Sequence, residues 1–179
     1  MFILYAIPVG IVTGFLLGGR LERLAELRFR WGWLAMLGLL VQVLLFSPVM
    51  SGAVGAAGPI VYVGSTLAVF VAVLRDWRIP GLALVALGAA FNLAAIVANG
   101  GIMPAAPDAV ATLAPVDGAG FSNSMVVADP ALRPLTDLFA LPAWLPFANV
   151  FSVGDVLIGV GVVVVLAAGM RRQPVAGAR

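Results

Sequence analysis

Long stretches of this chain hold almost no charge, and that limits its fold more than any motif does. The run VGDVLIGVGVVVVLAAGM at 153–170 approaches the ~20 residues an α-helix needs to cross a ~30 Å hydrocarbon layer. Comparable runs lie at about 2–18, 32–50, 59–74 and 80–98. With 63% hydrophobic and 10% charged residues, the chain is far more apolar than the ~45–50% of a soluble domain. The pattern predicts one all-α integral membrane domain over 1–179, a five-helix transmembrane bundle embedded in the lipid bilayer.

The arginines supply an orientation. Nine of ten follow the first, third and fifth runs: Arg20, Arg23, Arg28 and Arg30, then Arg75 and Arg78, then Arg171, Arg172 and Arg179. Five spans bring these groups to one side, which the positive-inside rule makes cytoplasmic. The N-terminus is then outside and the C-terminus inside, in a multi-pass protein of the cell membrane. The basic balance is accounted for by topology, and no nucleic-acid partner is expected. No basic residue precedes the first run, so it reads as a retained span and not a signal peptide.

Between the first two runs, RLERLAELRFRW places Leu21, Leu24, Leu27 and Trp31 on one helical face. An amphipathic interfacial helix over about 20–30 is expected, its arginines facing anionic headgroups. Along the first run Gly10, Gly14 and Gly18 recur every four residues, a smooth stripe for internal helix packing. Pro80 suits the first turn of the fourth span. SPVMSGAVGAAGP at 47–59 reads as a simple turn.

The connection 99–152 is long, and such loops are functional or disordered. After the flexible-looking PVDGAGFSNS comes PLTDLFALPAWLPFANVF, apolar but interrupted by Pro134, Pro142, Pro146 and Asp137. An interfacial or re-entrant segment, with Trp144 and Phe147 at headgroup level, fits better than a sixth span. This outer loop carries Asp108, Asp117, Asp129 and Asp137 against one cation, Arg133, expected to pair with Asp129 or Asp137.

Chemistry is restricted by what is missing. With no cysteine and no histidine there are no disulfides, thiolate nucleophiles, Cys/His metal sites or histidine general bases, and neither cofactor nor metal is expected. Gln42, Thr66, Asn92 and Asn99 are the polar residues in or at the ends of the spans, and none is ionisable, which argues against an ion pump. Asp155 stands at the mouth of the last span, three residues after Ser152, the spacing of a helix-capping box. Asn99 begins the long loop and Asp155 stands just past its end. With Arg133 and Asn149 they are the candidate binding residues.

NGGIMP at 99–104, LPAWLPFANVF at 141–151 and FSVGDVLIGVG at 151–161 resemble the bacterial membrane proteins grouped as DUF family 5317, whose function is not established. The resemblance implies no activity. PFANVFSVGDVLIGVG is also similar to the last motif of lipoprotein signal peptidase, where the position matching Asp155 is one of two catalytic carboxylates. That family's Gly-Asn-x-x-Asp-Arg motif has no counterpart here.

Three functions stay open. One is a non-enzymatic accessory or scaffold protein whose outer loop meets a membrane or extracytoplasmic protein partner or a lipid. Another is an intramembrane aspartic hydrolase using Asp155 with Asp137 or Asp129. The third is a small-molecule or lipid binder or transporter. The sequence leans to the first and away from an enzyme.

Overall fold

The computed structural model describes residues 2–113 and 124–171. Asp117, most of the PVDGAGFSNS stretch, Arg172 and Arg179 lie outside the described residues. The chain is mostly helical. In order come α1 (Ile3–Leu16), a 3₁₀ turn (Leu21–Glu26), α2 (Gly32–Leu45), the short α3 (Pro48–Ser51), α4 (Ala57–Arg75) and α5 (Leu82–Ala98). Next are β1 (Met103–Ala105), α6 (Pro107–Ala111), β2 (Ser124–Val126), a 3₁₀ turn (Arg133–Leu135), β3 (Phe139–Ala140), β4 (Val150–Phe151) and α7 (Val153–Arg171). Two helices, α4 and α7, are long and apolar enough to cross a membrane; α1, α2 and α5 are shorter apolar helices.

In space the five apolar helices form a row ordered α1, α7, α5, α4, α2. Phe2 stacks on Phe151 with ring centroids 4.4 Å apart, and the Arg20 amide donates to Met170 O at 2.9 Å, so α1 and α7 run parallel. The other neighbours are antiparallel: Gly88 meets Gly154 between α5 and α7, Gly101 meets Pro59 between α5 and α4, and Gln42 donates to Thr66 between α2 and α4. Successive helices therefore alternate in direction. The arginines at 20–30, Arg75, Arg78 and Arg171 gather at one end, and Asp137 and Asp155 lie at the other.

Glycine makes the centre of the row possible. A methyl group on Gly88 would collide with Gly154 O, and one on Gly161 would stand 2.6 Å from the Val85 side chain and 2.8 Å from Gly81 O. The backbones of α5 and α7 touch two turns apart, as small residues allow. Gly10 and Gly14 face Leu166 and Met170 of α7, the internal packing expected of that stripe. Gly18 does not share it, because its φ of +76° ends the helix instead.

Several local expectations are corrected. The segment 20–30 forms six residues of 3₁₀ helix and then extends at Leu27, because Leu24 and Leu27 drop onto Gly169 of α7. The second apolar run breaks after Leu45. The residue before a proline is pushed to extended backbone, and Ser47, before Pro48, has ψ 151° and caps α3, so 47–59 holds a short helix and not only a turn. Pro80 precedes α5 without opening it; Gly81, at φ +94°, takes the capping position because any side chain there would strike Gly161 O.

The segment between α5 and α7 forms a cap of short strands. β1 is fully buried and pairs in parallel with β2, while Asp137 bridges to Ala105 of β1. β3 and β4 pair antiparallel, and between them Pro142 O accepts from the Leu145 amide and Leu145 O from the Ala148 amide. The proline-rich stretch expected to be an interfacial or re-entrant segment is thus built as a small hairpin, since its prolines deny a helix the amide donors it needs. Trp144 and Phe147 are exposed at its tip.

Candidate functional site

Where α7 begins, the capping box forms. The Ser152 hydroxyl accepts from the Asp155 amide at 3.0 Å, and Asp155 Oδ2 accepts from the Ser152 amide at 3.0 Å, satisfying two amides a helix start leaves open. A third residue closes the arrangement. Asn92, two turns before the end of α5, donates its side-chain amide to Asp155 Oδ1 at 2.9 Å and lies 2.8 Å from Ser152 Oγ through its own oxygen. Ser152 is fully buried, and every buried side-chain polar atom among the described residues has a hydrogen-bond partner. The helix dipole favours a carboxylate at this position.

Asp137 is buried within the cap. Its backbone is held in the small sheet, the amide donating to Pro104 O and the carbonyl accepting from the Ala106 amide, both at 2.9 Å. The Ser124 hydroxyl donates to its Oδ2 at 2.6 Å. Burial pushes the Asp137 carboxyl up to about 7; the Ser124 hydrogen bond works against that shift, and the negative charge of Asp155 adds to it. Tyr62 of α4 packs edge-on against Phe46.

The other sequence candidates divide. Asn99 staples the cap to α5: its Nδ2 donates to Ala95 O and Ala131 O, and its Oδ1 accepts from the Ala131 amide at 2.9 Å. Gly100 and Gly101 follow with positive φ, and the Gly101 amide returns to Ile96 O, the helix stop their sequence implies. Asn149 accepts from the Phe2 amide at 2.9 Å and ties the start of α1 to the cap. Arg133 is exposed and makes no ion pair among the described residues, so the expected pairing with Asp129 or Asp137 is absent; its carbonyl instead receives Thr136 in a 3₁₀ turn. Asp129 is exposed and has no hydrogen bond to either carboxylate among the described residues. The structure thus joins Asp155 to Asn92 and Ser152 and Asp137 to Ser124, and leaves Asp129 and Arg133 with no hydrogen bond or ion pair to either carboxylate among the described residues.

Sequence reasoning left Asn92 and Ser124 out of the site. An amide inside an apolar helix has to find a partner, and that signal marked Asn92 but could not say which residue would answer it. A family model matches residues 26–167, which take in α2, α4, α5, the described cap and most of α7. The chain belongs to DUF5317, a family of unknown function. No curated protein and no solved structure matches it. The DUF5317 match contains Asn92, Asp137, Ser152 and Asp155, and α1 falls outside it. In this DUF5317 chain the asparagine ahead of Asp155 in the peptidase-like stretch, Asn149, serves the α1 backbone, and the amide that reaches Asp155 comes from α5.

Proposed function

We propose that this DUF5317 chain is a multi-pass cell-membrane protein with five spans, its N-terminus outside and its C-terminus cytoplasmic. It acts as a non-enzymatic accessory or scaffold subunit whose outer cap meets a membrane or extracytoplasmic protein partner. The closed hydrogen-bond circuit of Asn92, Ser152 and Asp155 carries the non-enzymatic reading. Both Asp155 oxygens are engaged, one by an amide from a neighbouring helix and one by its own helix start, as in a structural joint. The membrane reading draws on exposure. Only 22% of the apolar window of α4 and 39% of that of α7 is buried, unlike the core helices of a soluble protein. At the two ends of the row, Val12 and Leu16 of α1 and Trp33, Met36 and Val43 of α2 face outward.

Because the chain has no cysteine, single-cysteine labelling tests the topology directly. Asp129→Cys is expected to react with a membrane-impermeant maleimide in intact cells and Glu22→Cys only after permeabilisation. The reverse pattern, or equal labelling, would overturn the five-span orientation.

A second reading, an aspartic hydrolase pairing Asp137 with Asp155, draws on the raised Asp137 carboxyl, to which the Asp155 charge adds after burial. Carboxyl infrared spectra of Asp137 against pH, with and without Asp155→Asn, separate the two. A shared-proton pair predicts that Asp137 falls by more than ~2 units in the variant, because the like charge dominates. The scaffold reading predicts a fall under ~1 unit, because burial dominates.

A further inference from the structure

At the end opposite the cap, the linker before α2 and the turn between α4 and α5 enclose a cleft of about 480 Å³ walled by Arg28, Arg30, Arg75, Asp76, Trp77 and Arg78. Four arginines meet one aspartate there, and the aspartate is already committed: Asp76 Oδ2 accepts from the Arg30 backbone amide at 2.8 Å, fastening the linker to the turn. None of the four guanidinium groups forms an ion pair among the described residues. Two are steadied by indole rings, Arg75 over Trp31 and Arg78 over Trp77, each 5.8 Å from the ring centroid.

Arginines that serve only to orient a membrane protein need a side of the membrane but no shared cleft. These converge, hold a surplus of positive charge, and keep forked donors whose geometry matches two phosphate oxygens at once. We propose that the cleft is a binding site for a phosphate-bearing anion, either the headgroup of an anionic phospholipid or a soluble phosphate ester. Tryptophans on its wall and margin suit a site at headgroup depth, which rests on the membrane reading above. A phosphodiester would sit between Arg75 and Arg78 on one wall and Arg28 and Arg30 on the other, with Asp76 holding the walls together.

The test uses the full chain in nanodiscs, comparing co-purified phosphatidylglycerol with phosphatidylcholine by native mass spectrometry. R75Q/R78Q is expected to lower retained phosphatidylglycerol about tenfold and leave phosphatidylcholine unchanged. R20Q/R171Q removes the same charge from the same end outside the cleft, and is expected to have little effect. An equal loss in both would show diffuse attraction only and overturn the site, as would a wild type with no preference for either lipid and no binding of glycerol 3-phosphate. R75K/R78K, which keeps charge but not the fork, is expected to lose most of the preference. Competition by glycerol 3-phosphate assigns the site to a soluble ester, and retention of lipid in its presence assigns it to the bilayer. If the wild type does not enter nanodiscs, the membrane reading fails while the glycerol 3-phosphate titration still decides the cleft.

Discussion

Asn92 and Asp155, 63 positions apart in the chain, meet at 2.9 Å and join the middle of α5 to the first turn of α7. Each answers a need of the other. The amide is a polar group within an apolar helix, and the carboxylate is a charge at the edge of one.

Removing the amide should therefore harm more than trimming the charge. Asn92→Ala leaves Asp155 Oδ1 and the Ser152 hydroxyl each short of a partner, an expected loss of ~2–4 kcal/mol. Asp155→Asn keeps the shape and one acceptor, with an expected loss of ~1–2 kcal/mol. Thermal unfolding in detergent, followed by circular dichroism, gives the order; a milder effect for Asn92→Ala would refute the joint.

The α5–α7 contact predicts a contrast among glycines. Gly88→Ala and Gly161→Ala push backbones apart and are expected to destabilise by ~2–3 kcal/mol or more. Gly64→Ala in α4 meets nothing within 4 Å and should be neutral or stabilising by up to ~1 kcal/mol. The three variants are compared by melting temperature.

Asp137 makes the cap pH-dependent. Its carboxyl titrates at about 7 when folded, against an unfolded value of ~3.9, so the folded cap binds the proton more tightly. Its contribution is complete below ~pH 4 and is lost as pH rises through 7, with an upper bound of ~4 kcal/mol. Hydrogen exchange at the Ala106 amide, corrected for intrinsic rates, is expected to show more protection at pH 5 than at pH 8, and Asp137→Asn should flatten that difference.

Asn99 fastens the cap to α5 by two hydrogen bonds to Ala131. Asn99→Ala is expected to speed limited proteolysis near Ala131 about tenfold while helix content stays the same, because a local opening of ~1–2 kcal/mol separates the cap from the bundle. Cleavage at the wild-type rate would mean that the strands hold the cap unaided.

Much of the helical framework could be read directly. Apolar runs located α4, α5 and α7 to within a few residues, the four-residue glycine spacing marked the face of α1 that meets α7, and the spacing of Ser152 and Asp155 foretold their reciprocal bonds. These signals are local, arising from backbone geometry within one or two turns. Misreadings arose where a distant neighbour outweighed local preference: the 20–30 segment yields its helix to Gly169, and Gly81 takes a left-handed conformation because α7 lies against it.

Long apolar runs and the clustering of arginine determined that this chain forms apolar helices with Arg20, Arg23, Arg28, Arg30, Arg75, Arg78 and Arg171 at one end, since both properties are written residue by residue along the chain. Only the tertiary structure decided that α7 lies between α1 and α5, that Asn92 answers Asp155, and that Asp137 is buried within a strand cap. Helices of similar hydrophobicity can be ordered in many ways. The order is chosen by which glycines allow backbones to touch and which buried polar groups then find partners, quantities that exist only once the helices are packed.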